Sequence, residues 1–386
     1  MMLDSPLSLR RPFRDRSFGL MRKFLRINWL FVFCVCLLAG VGYAALYSAA
    51  GGSPQPYAEG QIIRFAGMLV VMIVIAMIDI RFIAKMSWPA YIAGVLLLLV
   101  VMKFGHTGLG AKRWIDLGPI ELQPSELMKL FLAMALAAYF KRATVEQTGN
   151  LLFVAPAAVV ILIPVALILK EPNLGTAVIT AAIGATVLLG AGVRWWWFAI
   201  IIAIIAISAP VLYEHLHAYQ KARIITFLNP GSDPLGAGYN IIQSKIALGS
   251  GGFFGQGYLH GTQNQLNFLP EKQTDFVFTI IAEEFGYAGS MAVLALLFFM
   301  ITLAFHTAIT CDHMYGRLVA LGIGTNLFLY CFVNLSMVMG LIPVGGVPLP
   351  LVSYGGSALT AVMLGFGVLQ SVHVHRDVEF TGHTDD

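Results

Sequence analysis

The sequence predicts an all-α membrane protein that crosses the bilayer many times. Hydrophobic residues make up 58% of its 386 residues and charged residues only 11%, whereas a soluble domain carries about 25% charged residues. The apolar residues come in long unbroken runs, each close to the 20 or so residues that a helix needs to cross a bilayer. The composition excludes a soluble fold, and the unbroken runs exclude a β-barrel, whose strands alternate in polarity.

Ten apolar runs predict ten transmembrane helices in one membrane domain, 27–373. In chain order the predicted spans are 27–48, 61–79, 85–103, 124–141, 151–169, 174–192, 195–213, 275–304, 317–342 and 353–373. A basic tail, 1–26, precedes them and a short tail, 374–386, follows. The longest connection, 214–274, joins spans 7 and 8. A connection of that length without a core of its own is usually functional.

The positions of Lys and Arg predict that both termini face the cytoplasm. Basic residues crowd the tail before the first span, and more lie in the connections that follow even-numbered spans. Short cytoplasmic segments carry an excess of such residues, so the connection 214–274 faces the other side of the membrane. Topology accounts for the net charge of +4, which therefore does not indicate nucleic acid as a partner.

Two charged residues lie inside the fourth predicted span. Each costs at least about 2.5 kcal/mol at membrane depth, so their presence needs a reason. Glu126 and Lys129 are three residues apart and share one helical face, shortly after Pro124, a residue favoured in the first helical turn. They form either a structural ion pair that neutralises both charges or a polar wall of an outward-facing cavity.

A second polar group marks the return of the long connection to the membrane. Asp275 lies where span 8 begins, and Glu283 and Glu284 lie about two turns deeper, on roughly the same face of the helix. Asp275 either caps this helix together with Thr274 or faces a functional cavity. The two glutamates support the site or serve a purely structural role.

Prolines and glycines interrupt the apolar sequence over 340–357. Irregular backbone at membrane depth is tolerated only where protein buries it or where it lines a wet cavity. The pattern predicts a re-entrant loop beside a cavity, ending at Ser353, Gly355 and Gly356.

The outer connection 105–118 carries Lys112 and Arg113 next to Trp114. An Arg guanidinium can bind two phosphate oxygens at once, so this segment is a candidate for phosphate recognition. The alternative is an Arg–Trp anchor at the membrane interface.

Taken in chain order, these segments resemble the SEDS family (shape, elongation, division and sporulation), and within it the RodA branch more than the FtsW branch. The resemblance covers about residues 20–376. The motifs that carry it are AKRWIDLG (111–118), LQPSELMKL (122–130), EPNLGTA (171–177), NPGSDPLGAGYNIIQSKIALGSGGFFGQG (229–257), LHGTQNQLNFLPEKQTDFVFTIIAEEFG (259–286) and PVGGVPLPLVSYGGSAL (343–359).

The resemblance implies a bacterial inner-membrane glycosyltransferase that polymerises lipid II into peptidoglycan strands for cell-wall elongation and rod shape. It implies Asp275 as the catalytic residue, Glu126 and Lys129 as lining of the same cavity, and Arg113 as functionally important. Asn173 stands where the family commonly has Asp, which puts a metal or electrostatic role of that turn in doubt. The chemistry requires no cofactor, although a divalent cation, Mg²⁺ or Mn²⁺, is compatible with it.

The resemblance also implies partners, and it leaves other functions open. The implied partners are a class B penicillin-binding protein, which is a transpeptidase, and the elongation proteins MreC, MreD and RodZ. One alternative is a lipid II flippase, because many spans and buried charges suit transport as well. Against it, the informative residues gather on one face, whereas alternating access places a site near the midplane. A second alternative is a non-catalytic membrane scaffold.

Overall fold

The structure is a computed structural model that describes residues 19–108, 111–116, 121–171, 173–214, 218–232, 237–266, 268–270, 272–343 and 345–378. Most of the predicted basic tail and most of the predicted C-terminal tail lie outside the described residues.

The described residues form mainly helices. The helices are α1 (Leu20–Leu25), α2 (Trp29–Ala49), α3 (Ala58–Met77), α4 (Ile80–Phe104), α5 (Pro124–Phe140), α6 (Val145–Thr148), α7 (Leu151–Lys170), α8 (Leu174–Gly190), α9 (Trp195–Glu214), α10 (Ala218–Leu228), α11 (Ala237–Ser250), α12 (Thr262–Gln265), α13 (Val277–Thr310), α14 (Met314–Val338) and α15 (Gly356–Val374). A 3₁₀ turn covers Pro230–Ser232, and the strands are β1 (His106–Gly108), β2 (Ala111–Asp116) and β3 (Glu121–Leu122).

The helices establish a polytopic membrane protein. Within the described residues, 7 helices are long and apolar enough to cross a bilayer, namely α2, α3, α4, α7, α13, α14 and α15. Helix α8 and the first part of α9 are apolar but shorter, and α5 has 17 residues. Each predicted span coincides with a helix, but length and composition alone do not establish a count of ten.

The prediction of an all-α protein missed a small antiparallel sheet on one connection. Its strand order is β1-β2-β3, with Lys112 opposite Thr107 and Ile115 opposite Leu122. Strands this short are invisible to a search for long apolar runs. The sheet matters because it holds Arg113 in β2, shortly before α5 begins.

The long connection 214–274 is built largely of helices, and it packs on the membrane bundle. Helix α11 lies against α13 and α14, and the Ser244 hydroxyl donates to the carbonyl oxygen of Val338 at 2.5 Å. The turn after α11 inserts into a break in α13 at Gly286, whose φ is +66°. There the amide of Gln256 donates to the Glu283 carbonyl, and that of Tyr287 donates to the Gly252 carbonyl, both at 2.9 Å. Non-helical backbone is tolerated at this depth because such bonds satisfy it.

Helices α5 and α14 form the centre of the bundle. Almost every residue of α5 is buried, and the helix packs against α4, α8 and α14. Small residues allow the close approach that membrane helices use in place of a hydrophobic driving force. A Cβ atom on Gly322 of α14 would lie only 2.7 Å from the Cβ of Ala133. The polar residues of α5 are therefore held in the middle of the protein.

Candidate active site

The two predicted charges of α5 pair with each other, and a tyrosine joins them. Lys129 Nζ donates to Glu126 Oε1 at 2.8 Å and also to the hydroxyl of Tyr330 on α14. That hydroxyl in turn donates to Glu126 Oε2. Glu126 is 7% exposed, Lys129 2% and Tyr330 1%. Opposite charges and a polar hydroxyl thus satisfy one another in a buried site.

Asn334 connects this cluster to the segment that carries Asp275. It lies four residues after Tyr330, so the two side chains share one face of α14, one turn apart. Its Nδ2 donates to the carbonyl oxygen of Asp275 at 2.9 Å and to that of Val347 at 2.8 Å. One face of α14 therefore holds the buried cluster, the Asp275 segment and the interrupted segment before α15.

Asp275 lies in the turn just before α13, whose N-cap residue is Phe276. Its carboxylate lies beside Gly346, whose φ is +65°, and a Cβ on that glycine would be 3.7 Å from Asp275 Oδ2. Asp275 is half-buried, in keeping with a carboxylate at the edge of a site.

A cavity of about 20 Å³ adjoins the Glu126–Lys129 pair, and its described lining includes Asn326 and Gly365 but not Asp275. Asn326 lies one turn from Tyr330 in the direction away from Asn334. A larger cavity shared by the pair and Asp275 stays a prediction. Helix α14 links the two, because Tyr330 binds Glu126 and Asn334 binds the Asp275 carbonyl oxygen.

The second half of the interrupted segment between α14 and α15, residues 347–353, is largely buried. Ser353 is almost fully buried, and its Oγ accepts a hydrogen bond from the Leu349 amide at 2.9 Å, so it holds the turn together. Gly355 is the N-cap of α15 and Gly356 is its first residue. The guanidinium of Arg64 lies against Gly356, where a Cβ would be 3.5 Å from Nη1.

Arg64 is a cation that the sequence analysis missed. It sits on α3, and its guanidinium carbon lies 5.5 Å from the centre of the Tyr354 ring. In the sequence it appears only as one charge in the first half of an apolar run. A charge at that position is typical of the membrane–water interface. The structure places it at the same interrupted segment that borders Asp275.

Arg113 lies on the other side of that segment, together with Glu171, which the sequence analysis also missed. Arg113 Nε donates to the carbonyl oxygen of Glu171 at 3.0 Å. Burial raises the pKa of the Glu171 carboxyl to about 8, and the nearby charge of Arg113 lowers it by a smaller amount. Asn173 caps α8 by accepting from the Thr176 amide at 3.4 Å. The side chain of Lys112 lies outside the described residues.

The turn that contains Glu171 and Asn173 touches the interrupted segment directly. A Cβ on Gly175 would lie 3.3 Å from the carbonyl oxygen of Gly345. Arg113 binds this turn through the carbonyl oxygen of Glu171, and we call it the Arg113 turn. Gly345 precedes the glycine beside Asp275, so the Arg113 turn and the Asp275 carboxylate border the same short piece of backbone.

Glu283 and Glu284 are buried and bind the long connection 214–274, which we call the outer connection from this point on. Glu283 Oε1 accepts from the Gln263 amide at 2.8 Å and from the Thr262 hydroxyl at 3.2 Å. Glu284 Oε1 accepts from the hydroxyl of Ser48 on α2. These contacts place the two glutamates on the outer connection and the end of α2, apart from Arg64 and Arg113.

Among the described residues, no group of three or more His, Cys, Asp or Glu side chains is arranged to hold a metal ion. Of the acidic side chains of the site, Glu126 is bonded to Lys129 and Tyr330.

Fold and site define a polytopic helical membrane protein with a polar site at one end of its bundle. Residues 25–378 match the family of cell cycle proteins FtsW, RodA and SpoVE, and the chain belongs to this family. It is 43% identical over 346 residues to the peptidoglycan glycosyltransferase MrdB of Escherichia coli strain K12, covering 88% of this chain and 92% of that protein. The predicted family resemblance is confirmed.

Two solved structures share the fold over nearly their whole length. One, from work on the structural coordination of polymerization and crosslinking by a peptidoglycan synthase complex, has a TM-score of 0.79 and 30% identity, covering 91% of this chain and 98% of that one. The other is the crystal structure of the Thermus thermophilus rod shape determining protein RodA, with a TM-score of 0.70 and 28% identity, covering 92% and 98%.

The first prediction concerns the hydroxyl of Tyr330. Tyr330→Phe leaves Lys129 and Glu126 each short of one buried hydrogen bond, which typically costs about 1–3 kcal/mol. We expect a lower thermal midpoint of the detergent-purified protein, measured by intrinsic fluorescence. Tyr43→Phe, at a half-exposed tyrosine of α2, is the control and should change little. Equal stability of the Tyr330 variant and the unaltered protein would contradict the assigned hydrogen bonds.

The second prediction concerns the titration of Glu171. Its pKa is about 8 in the folded protein, against an ordinary value of 4.5. Between these values the folded state binds more protons than the unfolded state, so the free energy of unfolding falls as pH rises through this window. Glu171→Gln cannot ionise. The free energy of unfolding of the variant minus that of the unaltered protein should therefore be larger at pH 9 than at pH 6, by roughly a few kcal/mol.

Thermal midpoints of the Glu171→Gln variant and the unaltered protein, measured at pH 6 and at pH 9, check this pH-dependent difference in stability. Glu146→Gln, at an exposed residue of α6, is the matched control and should show no such pH-dependent difference. If Glu171→Gln follows the same pH dependence as the unaltered protein, the buried carboxyl does not titrate in this window.

Proposed function

We propose that the chain is a peptidoglycan glycosyltransferase that polymerises lipid II into glycan strands and releases undecaprenyl pyrophosphate, for cell-wall elongation and rod shape. The carrying observation is the position of Asp275. Its carboxylate borders a glycine-lined segment that has Arg64 at one end and the Arg113 turn on its other side. Family membership and the 43% identity to a peptidoglycan glycosyltransferase support this function.

The proposed topology has ten spans in a single domain, 27–373, with both termini in the cytoplasm of a bacterium and the protein in its inner membrane. The distribution of basic residues supports this orientation. Asp275, the sheet that carries Arg113 and the connection 214–274 then all lie at the periplasmic side. This is the side on which glycan strands are built.

In the proposed reaction, Asp275 acts as the general base. It takes the proton of the acceptor sugar's 4-hydroxyl while that oxygen attacks the anomeric carbon of the donor. The bond between this carbon and the pyrophosphate oxygen breaks, and its electron pair leaves with undecaprenyl pyrophosphate. Because the leaving group is already stable as an anion, no general acid is needed. A positioned base typically contributes about 10²–10⁴-fold in rate.

Arg64 and Arg113 are the proposed partners of the pyrophosphate. A guanidinium binds phosphate through two parallel hydrogen bonds, and both residues are only partly buried. Lys129 has a different role in this proposal. It is buried and bonded to Glu126 and Tyr330, so it holds α5 against α14, the helix whose Asn334 binds the Asp275 carbonyl oxygen. Ser353, Gly355 and Gly356 shape the backbone against which the substrate would lie.

The proposed partner is a class B penicillin-binding protein that crosslinks the new strands. A chain from a peptidoglycan synthase complex that coordinates polymerization with crosslinking shares this fold, which supports such a partnership. The association with MreC, MreD and RodZ stays a prediction from the family resemblance.

The third prediction tests the catalytic assignment. Asp275→Asn keeps the size of the side chain but removes the base, so we expect polymerisation of lipid II to fall at least about 100-fold. Glycan strands made by the purified protein in detergent are separated by gel electrophoresis. Asp312→Asn, at an exposed residue in the turn before α14, is the control and should retain activity.

The same assay separates the proposed enzyme from its alternatives. Transport across a bilayer has no meaning in detergent, so polymer made by purified protein excludes a pure flippase and a non-catalytic scaffold. Near-normal polymerisation by a folded Asp275→Asn variant would remove Asp275 from the catalytic role.

The fourth prediction concerns Arg64. Arg64→Gln removes a charged donor pair, and hydrogen bonds to charged groups are worth about 1.5–3 kcal/mol. If Arg64 binds the pyrophosphate, the KM for lipid II should rise roughly 10- to 100-fold, with a smaller change in kcat. Arg142→Gln, at an exposed residue after α5, is the control. An unchanged KM in the Arg64 variant would exclude it from substrate binding.

A further inference from the structure

A buried polar cluster joins the outer connection to the ends of α2 and α13. We define the outer clasp as Ser48, Asn264, Lys272 and Glu284. All four side chains are at least nine-tenths buried. They come from four different segments: the end of α2, helix α12, the turn before α13, and α13 itself. A buried polar group is tolerated only when it has partners, so the clasp depends on all four segments being in place.

The hydrogen bonds of the clasp centre on Asn264. Its Nδ2 donates to the carbonyl oxygen of Ser48 at 2.9 Å and to the Ser48 hydroxyl at 3.0 Å. The same group lies 3.3 Å from Glu284 Oε1, which also accepts from the Ser48 hydroxyl. Helix α12, a single turn of the outer connection, is thereby fixed to the end of the first spanning helix.

Lys272 extends the clasp toward Asp275. Its Nζ donates to the carbonyl oxygen of Asn264 at 2.7 Å, and it interacts electrostatically with Glu284. Lys272 is three residues before Asp275, in the same series of turns that ends where α13 begins. The side chain of Lys272 therefore anchors one end of the turn that presents the Asp275 carboxylate.

Two further anchors of this turn are hydrogen bonds to its backbone carbonyl oxygens. The carbonyl oxygen of Gln273 accepts from the Tyr354 amide at 2.8 Å, and that of Asp275 accepts from Asn334 at 2.9 Å. Both tie the turn to the bundle side of the site. Lys272 ties it to the outer connection, so a shift of α12 would pull directly on the Asp275 turn.

We propose that Lys272 and Asn264 are positioning residues for Asp275, and that the outer clasp sets the place of its carboxylate through the conformation of the outer connection. This rests on the proposed glycosyltransferase function. A displacement of a catalytic group by about 1 Å can cost about 100-fold in rate. Hydrogen bonds of the clasp join its own members and the turn that carries Asp275, so the clasp acts on the rate of the chemical step.

The test uses the full-length protein in detergent with lipid II. Lys272→Met alone leaves the Glu284 carboxylate without its counter-charge and risks misfolding, so the main variant is Lys272→Met combined with Glu284→Gln. This pair removes both charges and keeps both shapes. We expect kcat to fall about 10- to 100-fold with KM changed less than about twofold. Lys272→Arg keeps the charge and should recover most of the lost rate.

Lys221→Met is the matched control. Lys221 lies in α10 of the same connection and donates to the Glu214 carbonyl oxygen, outside the clasp, so this variant should keep the unaltered kcat. Three results would overturn the proposal: an unchanged kcat in the double variant, a loss of activity no greater than the loss of folded protein, or a Lys272→Arg variant as slow as the double variant.

Hydrogen exchange separates this inference from the proposed function. The double variant should exchange faster than the unaltered protein in peptides that cover 268–280, whether or not the protein polymerises lipid II. If exchange rises there but the unaltered protein makes no polymer, the proposed function fails while the positioning contact stands. If the unaltered protein polymerises, Asp275→Asn is inactive and exchange in 268–280 is unchanged, the positioning proposal alone fails.

Discussion

The structure depends on keeping one pair of opposite charges together in the middle of a membrane bundle. Neither Glu126 nor Lys129 can stay buried alone, because removing one partner of a buried pair typically costs about 3–5 kcal/mol. Both lie on α5, and the hydroxyl that completes their hydrogen bonds belongs to Tyr330 of α14. The requirement for complete pairing therefore fixes how α5 and α14 align. Packing of small residues alone would define this alignment less strictly.

The position of α14 in turn determines where the outer segments lie. Asn334, one turn beyond the tyrosine, supplies two hydrogen bonds to backbone carbonyls that no helix satisfies, those of Asp275 and Val347. Unsatisfied carbonyls are costly at membrane depth, so a single amide group holds two irregular segments against the same helical face. The backbone of the proposed base is thus held against α14 by Asn334, and its side chain is half-buried at the edge of the site.

Much of the fold follows from the sequence, whereas much of the site does not. Hydropathy locates the helices because burial in lipid demands long apolar runs, and the three-residue spacing predicts the Glu126–Lys129 pair. Tyr330 escapes the same reasoning because a tyrosine inside an apolar run looks like any other large hydrophobic residue. Glu171 was missed because the family resemblance singles out Asn173 in this turn, where the family usually has Asp. The structure shows that this turn contains a buried carboxyl two residues earlier, next to Arg113.

The glycines of the interrupted segment determine how much room lies beside the Asp275 carboxylate, which the proposed reaction needs. Gly346 adopts a φ of +65°, a conformation that disfavours residues with a side chain, and any methyl group there would contact the Asp275 carboxylate. Gly175, which has no Cβ, allows the turn that contains Glu171 and Asn173 to approach the carbonyl oxygen of Gly345 from the other side. The glycine at 346 leaves room beside the carboxylate, and Arg113 binds the turn that lies against the same segment. An acceptor hydroxyl and an anionic leaving group need this combination of open backbone, one base and flanking positive charge.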